Sequence, residues 1–393
     1  MRKLKFFLST LLLALLVSGS INGQGYIFTD VVKNPATPVK NQGNSGTCWS
    51  YATIGFLEAE LLRTGKGEHD LSEMFVVRYN YLNRMKDNYF RRGKGNLGQG
   101  SLTPMVTNVI KEYGIVPQEV YSGIQYNSPV NSHKELNAFV HAIAGVGVTL
   151  KERSPEYYKL REALFDTYLG EVPETFSYKG KEYTPKSFAE YLELNMDDYV
   201  KITSFSHIPF YEKSLLEIPD NWNHERFYNL PLDEFMAVID NALHSGYTVC
   251  WDGDVSERGF SHTNGIAINP ETKDLADFIG SDRARFEKLS VEDKYAEIFK
   301  FKEIFPEVNV TQKIRQQGYE NFTTTDDHLM LLTGIVKDQK GNRYYITKNS
   351  WGTARNKFGG YLNMSESYVR AKSIYVLVHK DSIPAEVREK LGI

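Results

Sequence analysis

An α+β fold, helix-rich in its first third and β-rich toward its C-terminal end, is predicted by three observations. Apolar residues recur at helical spacing from Cys48 onward, two strand-like runs flank a polar turn between His328 and Asn349, and neither a linker nor a fixed-period repeat divides the 393 residues. Composition agrees: 41% hydrophobic and 24% charged residues describe a globular chain with a sizeable core. One large domain over residues 24–393 is expected, with residues 131–229, of mixed periodicity, read as an insertion within it.

The elements follow in order. Met1-Arg2-Lys3-Leu4-Lys5 is a basic start, Phe6 to Val17 an apolar run, and Ser18-Gly19-Ser20 supplies the small residues of a cleavage site. Residues 1–23 therefore read as a cleaved export signal, cut after Ser20 or after Gly23, which implies a periplasmic or extracellular protein. The apolar run is too short to cross about 30 Å of hydrocarbon as a helix, and no later stretch does better, so no stable membrane insertion is expected. Gln24 to Asn44 reads as an irregular approach. From Cys48 the residues Tyr51, Ile54, Leu57 and Leu61 mark a helix that Gly65-Lys66-Gly67 stops. Ser72 is a candidate N-cap for a second helix through Met74, Val77 and Tyr81, and a third runs from about Met105 to Tyr113, closed by Gly114. Phe176 to Tyr183 has the pattern of a hairpin. Pro231 opens a helix with Phe235, Ile239 and Leu243 on one face, ending at Gly246, and Tyr247 to Trp251 follows as a strand. Last comes the hairpin of His328–Val336 and Arg343–Asn349. With its turn centred near Gln339, His328 lies opposite or nearly opposite Asn349.

Charge and cysteine content narrow the chemistry. A formal net charge of −3 gives no footprint for nucleic acid. Two cysteines cannot build a Cys-rich zinc site, and no paired histidines at helical spacing supply another, so neither metal nor cofactor is expected. The plain reading of Cys48 and Cys250 is a disulfide. The alternative makes Cys250 a buried small hydrophobe and Cys48 a reactive thiol, both free.

The reactive reading has a physical basis. A thiol attacks a carbonyl carbon as thiolate, and a helix N-terminus favours negative charge there. An imidazole beside it can hold and return a proton, and a third group can fix the ring's tautomer. Cys48 at a helix start, His328 and Asn349 across a hairpin fill these roles. Gln42, six residues before the thiol, can aim a side-chain N–H at the developing oxyanion, joined by the Cys48 N–H. His262 is the best competing histidine, but no Asn-Ser-Trp-Gly follows it at hairpin distance; it and the other histidines are left as surface or core residues.

Gln42-Gly43-Asn44-Ser45-Gly46-Thr47-Cys48-Trp49-Ser50, His328 and Asn349-Ser350-Trp351-Gly352 resemble, in order, the three signature blocks of the papain-like cysteine peptidases. Papain itself has a disulfide-bonded cysteine where Ser45 stands, and its absence resembles the bleomycin hydrolase and aminopeptidase C branch. Lys111 to Pro117, Val172 to Phe176, Trp251 to Val255 and Ile383 to Val387 are similar to segments of that branch, so the likeness spans roughly residues 35 to 390. The resemblance implies a papain-like fold of two subdomains, helical and β-rich, with the active site in the cleft between them. It makes Cys48 the nucleophile, His328 base and acid, Asn349 orienter and Gln42 oxyanion donor. It gives Trp351 the shielding of the His–Asn hydrogen bond, and Gly98 and Gly100 of Gly98-Gln99-Gly100 the binding of extended peptide backbone.

The implied reaction is hydrolysis of a peptide or protein through an acyl-enzyme thioester, by an aminopeptidase or a peptidase of oligopeptides. The implied assembly is a homo-oligomer. In this branch a C-terminal arm lies in the cleft and confines cleavage to peptide N-termini; here the chain ends at Ile393, soon after the Ile383-Pro384 segment, so the arm is expected to be short and the cleft either open or reached by Ile393 along another path. With the signal removed, the segment before Cys48 is expected to be too short for a papain-type propeptide. The competing readings are an acyl transferase or peptide ligase on the same fold, and a peptide-binding homologue without catalysis.

Overall fold

The computed structural model describes residues 25–150, 152–271 and 296–393. The expected export signal, residues 1–23, lies outside the described residues. The approach to Cys48 contains a strand the sequence did not suggest, β1 (Phe28–Lys33). Helix α1 (Cys48–Arg63) then begins at the cysteine, and every residue from Cys48 to Leu61 is buried, so this is a central helix without a solvent face. Helix α2 (Glu73–Phe90) is capped as expected, the Ser72 hydroxyl accepting from the Phe75 N–H at 3.1 Å. Helix α3 (Thr103–Tyr113) stops at Gly114, whose φ of 86° and approach to Pro185 O, 2.2 Å from where a Cβ would sit, both require glycine.

Residues 131–229 divide between the two sides of the molecule. Helices α4 (Lys134–Thr149) and α5 (Pro155–Leu169) pack against α2, and a small hairpin of β2 (Phe176–Tyr178) and β3 (Lys181–Tyr183) precedes α6 (Pro185–Leu192). Strands β4 (Tyr199–Thr203), β5 (Lys213–Leu215) and β6 (Arg226–Asn229) instead extend the main sheet. The chain continues through α7 (Leu232–His244), β7 (Val249–Gly253), β8 (Phe260–Ser261), β9 (Ile266–Ala267) and α8 (Gln312–Glu320). It ends with β10 (His328–Asp338), β11 (Arg343–Lys348), β12 (Tyr361–Ser365), α9 (Glu366–Lys372), β13 (Ser373–His379) and α10 (Ala385–Leu391).

The main sheet has the order β5-β6-β4-β13-β7-β10-β11-β12-β9-β8, and β1 pairs with the second half of β10. Its central strands are buried on both faces, with side chains alternating between two cores. Leu329, Leu331, Cys250 and Leu377 join α1 and the helical half, whereas Met330, Leu332, Trp251 and Val376 pack with Phe235, Ile239 and Leu243 of α7. Helix α1, which opens at Cys48, therefore lies directly on β10, the strand that opens at His328.

The β10–β11 hairpin has the expected form with one change. Leu331 faces Lys348 and Leu332 faces Thr347, but a register shift before Gly334 makes Gly334 the partner of Ile346. Continuing the outer register, Asn349 stands diagonal to His328 rather than directly across from it, within side-chain reach.

Candidate active site

Cys48 is the first residue of α1. Thr47, at the N-cap, makes no side-chain cap, so the opening turn keeps donor capacity for an anion. The thiol sits against β10, where the backbone N–H of Leu329 stabilises its charged form. Burial dominates, however, and pushes the thiol up to about 12, helped by the negative charges of Asp252, Asp220 and Asp326. Burial likewise pushes His328 down to about 4, against the favourable contributions of Asn349 and Asp327. Burial thus makes an isolated thiolate and an isolated imidazolium each costly in this closed site.

The His328 ring is held by its far nitrogen. Nε2 and Asn349 Oδ1 are 2.8 Å apart, so Nε2 carries the hydrogen and Nδ1 remains the atom that can exchange a proton with the thiol. The orientation of the Asn349 amide is fixed by two further contacts. The Ser350 N–H donates to Oδ1 at 2.7 Å, and Nδ2 donates to His262 Nδ1 at 3.3 Å. His262 thus corrects the assignment made from sequence: it is a wall of the site, beyond Asn349, and no bystander. Trp351 lies against both rings, 4.7 Å from His328 and 5.1 Å from His262 between centroids. Trp351 is 36% exposed, so it is not a core residue.

Gln42 is buried, and both ends of its amide are engaged. Oε1 accepts from the Ser350 hydroxyl at 2.6 Å, while Nε2 donates one hydrogen to Ser45 O at 2.8 Å. The second Nε2 hydrogen is left for a developing oxyanion. The loop around it is stapled by hydroxyls: Ser45 Oγ reaches Gln42 O at 2.6 Å and Thr47 Oγ1 at 2.6 Å. Gly43, with φ of 61°, lets the loop press on Asn131 O, 2.5 Å from where a Cβ would stand.

Gly98-Gln99-Gly100 lies beside the start of α1. Gln99 Oε1 accepts from the Gly46 N–H at 2.8 Å, and Gln99 O accepts from Trp49 Nε1 at 3.0 Å. The described structure therefore gathers Gln42, Cys48, Gly98 and Gly100 on the helical side and His328, Asn349 and Trp351 on the sheet side.

Two family descriptions match this chain. Residues 29–152 match the papain family cysteine proteases, and residues 267–392 match the peptidase C1-like family. Aminopeptidase C of Streptococcus thermophilus is 23% identical over 88% of this chain and 81% of its own length. The mitochondrial cysteine proteinase 1 of Saccharomyces cerevisiae is 23% identical over 93% of this chain and 79% of its own. The chain belongs to the papain-like cysteine peptidases. Within them it falls in the bleomycin hydrolase and aminopeptidase C branch. The crystal structure of PepW from Lactobacillus rhamnosus shares the fold, with a TM-score of 0.69 and 19% identity over 93% of this chain and 84% of that one.

Other features of this papain-like peptidase were not read from its sequence. A buried ionic network joins the two sides behind the site. Glu58 on α1 accepts from Thr37 Oγ1 at 2.5 Å, from Lys40 Nζ at 2.8 Å and from the Leu71 N–H at 2.9 Å. Lys40 also reaches Glu73 at 2.7 Å, and Lys348, the residue before Asn349, donates to Thr37 at 3.0 Å. These bonds tie the helix of Cys48 to the strand of Asn349. Cys250 is free, as is Cys48, and is wholly buried on β7 with Thr53 Oγ1 4.0 Å from its sulfur. The disulfide reading is thereby set aside. Ile393 lines a surface cavity of about 320 Å³ with Lys111, Lys201 and Lys380; none of the expected catalytic residues lines it. No helix among the described residues is long and apolar enough to cross a membrane.

Proposed function

We propose that this peptidase hydrolyses peptide bonds through Cys48, His328, Asn349 and Gln42, by way of an acyl-enzyme thioester. The observation that carries the reading is the 2.8 Å contact of His328 Nε2 with Asn349 Oδ1, which leaves Nδ1 as the proton-exchanging atom. His328 Nδ1 takes the Cys48 proton as sulfur attacks the scissile carbonyl carbon. The negative charge on oxygen is met by Gln42 Nε2–H and the Cys48 N–H. Collapse expels the amine, which receives the proton from Nδ1, and leaves the acyl group on sulfur. Water then gives its proton to Nδ1, attacks the thioester carbon, and releases the acid as the proton returns to sulfur. Asn349 keeps the ring in the tautomer each step needs, and Trp351 excludes water from the bond that does so.

Oligopeptides cut at or near their N-termini are the substrate class we infer; the names of the aminopeptidase C relatives favour it. Export to the periplasm or the exterior is inferred from residues 1–23. The test is incubation of the mature protein with a proteome-derived peptide mixture. Cleavage products absent from Cys48→Ala are expected. No cleavage of any peptide, together with no selective alkylation of Cys48 at neutral pH, would refute the peptidase mechanism.

A further inference from the structure

Three acidic side chains on different elements add their negative charge to the surroundings of the Cys48 thiol: Asp252 on β7, Asp326 just before β10, and Asp220 on the loop between β5 and β6. Asp252 is wholly buried, and neither of its carboxylate oxygens receives a hydrogen bond from a donor among the described residues. Its carboxyl instead meets that of Asp326 and faces the charge of Asp220. The cation beside them is Arg84, whose Nη2 is 3.9 Å from Asp220 Oδ1 and whose Nε and Nη2 have no hydrogen-bond acceptor. Burial, with mutual repulsion added at Asp252 and Asp326, raises all three carboxyls above the usual carboxylate range, Asp326 to about 7, so with one guanidinium beside them the cluster holds its charge down with protons unless a further cation joins it.

The loop that carries Asp220 is rigid and bridges the cleft. Asn221 closes it on itself, its Nδ2 donating to Leu216 O and to Glu225 O at 2.9 Å each. On the helical side Asn96 Nδ2 donates to Pro219 O at 3.0 Å, and Trp222 Nε1 donates to Ser101 Oγ at 3.1 Å. On the sheet side Tyr319 OH donates to Glu217 O at 3.0 Å, and the Asp220 backbone favours the charged form of the Asp326 carboxyl. The Asp220 carboxylate rests on Gly100, with Oδ2 1.9 Å from where a Cβ would stand.

Direction follows from the proposed chemistry. The leaving amine must meet His328 Nδ1, so it lies toward His328 and Trp351, and the acyl portion runs the other way, along Gln99 and Gly100. An extended acyl segment on those glycines would run into the loop at Asp220.

We propose that residues 216–225 are a strap across the acyl side of the cleft, and that Asp220, backed by Asp326 and Asp252, binds a cationic group at the end of the substrate's acyl segment. The ligand chemistry is an ammonium or guanidinium, from the peptide's free α-amine or from a basic side chain. This rests on the peptidase reading above and assigns the cation site to an internal loop. The bound cation supplies the missing counter-charge and lowers the electrostatic cost of the Cys48 thiolate, so a substrate that fits also favours the attacking form of the sulfur.

The test uses aminoacyl and dipeptidyl aminomethylcoumarins, with free or acetylated amino termini and with neutral or basic side chains. For neutral side chains, acetylation is expected to lower kcat/KM by about tenfold or more, mainly through KM, and Asp220→Asn to abolish most of that discrimination. If basic side chains are preferred even when the terminus is acetylated, and Asp220→Asn removes the preference, the site stands and its cation is the side chain. Equal cleavage of all four classes by the wild type, or a parallel change in all of them in Asp220→Asn, would overturn it. Calorimetric binding of the unblocked peptide to Cys48→Ala, with and without Asp220→Asn, needs no turnover, and both variants are checked for an unchanged melting transition. Binding weakened about tenfold by the second substitution supports the site even if no peptide is cleaved, in which case the hydrolytic reading alone falls. Equal binding overturns the site even in an active peptidase.

Discussion

Replacing Ser350 by alanine perturbs the proposed oxyanion site without touching a reacting group. The Ser350 hydroxyl donates to Gln42 Oε1 at 2.6 Å, while the other end of the same amide gives one hydrogen to Ser45 O. With the first bond gone, the buried Gln42 amide is held at one end, and its remaining N–H is free to swing. A neutral buried hydrogen bond contributes about 1 kcal/mol, so kcat/KM should fall about fivefold in Ser350→Ala. Removing the donor itself, in Gln42→Ala, should cost about 100- to 1,000-fold in kcat, the range found for a single oxyanion donor. The two effects share one route, so in a Gln42→Ala background the serine substitution should add almost nothing. Steady-state kinetics of the four proteins on one fluorogenic peptide make the cycle. A Ser350→Ala loss of the same size in both backgrounds would refute the idea that the serine acts through Gln42.

Three further predictions test other parts of the account. Asn349→Ala removes the partner of His328 Nε2, and loss of a hydrogen bond to an imidazolium, about 1.5–3 kcal/mol, should lower kcat/KM by about 10- to 150-fold; a loss under twofold would deny Asn349 its orienting role. Glu58→Ala leaves Thr37 and the Leu71 N–H without their buried acceptor and Lys40 with Glu73 and Asp70 alone, and should cost about 2 kcal/mol in urea unfolding, while a change under 1 kcal/mol would show that the network does not brace α1. His133 is wholly buried, 3.2 Å from Tyr81 OH through Nδ1, and burial lowers its pKa to about 4. The folded state therefore refuses a proton that the unfolded chain takes below about 6.5, and this contribution to stability, up to about 3 kcal/mol, is lost as pH falls from 6.5 toward 4. Over that window His133→Gln should lose correspondingly less stability than the wild type in denaturant titrations, and equal losses would contradict the assignment.

The site was legible where chemistry is written in short, local patterns. Cys48 opens a helix that the apolar spacing announced, and the turn near Gln339 alone brings His328 within reach of Asn349. The register shift before Gly334 was not legible, because a bulge depends on the neighbouring strand as much as on its own residues. Nor was β1, a short strand with mixed burial whose partner lies some 300 residues away in sequence. His262 looked like a decoy since nothing beside it in sequence marks a site; 87 positions separate it from the Asn349 amide it accepts from. The same distance in sequence hid the Glu58 network and the strap. Lys40, Glu58 and Lys348 come from three segments, and Asp220, Asp252 and Asp326 from three more. Composition shows such charges; only the packing of α1 onto β10 shows that they meet. Ser350 stood inside the Asn-Ser-Trp-Gly block in plain view, yet its role appears only when the Gln42 loop folds against it.

The central claim is that Cys48 is the reacting thiol, and alkylation tests it most directly. Native protein treated with one equivalent of iodoacetamide at neutral pH, followed by peptide mapping, should carry the label on Cys48. Cys250, wholly buried on its strand, should remain unlabelled until the protein unfolds. Peptide cleavage should fall in proportion to Cys48 labelling and be absent from Cys48→Ala. Full activity after stoichiometric modification of Cys48, or turnover by Cys48→Ala, would contradict the account.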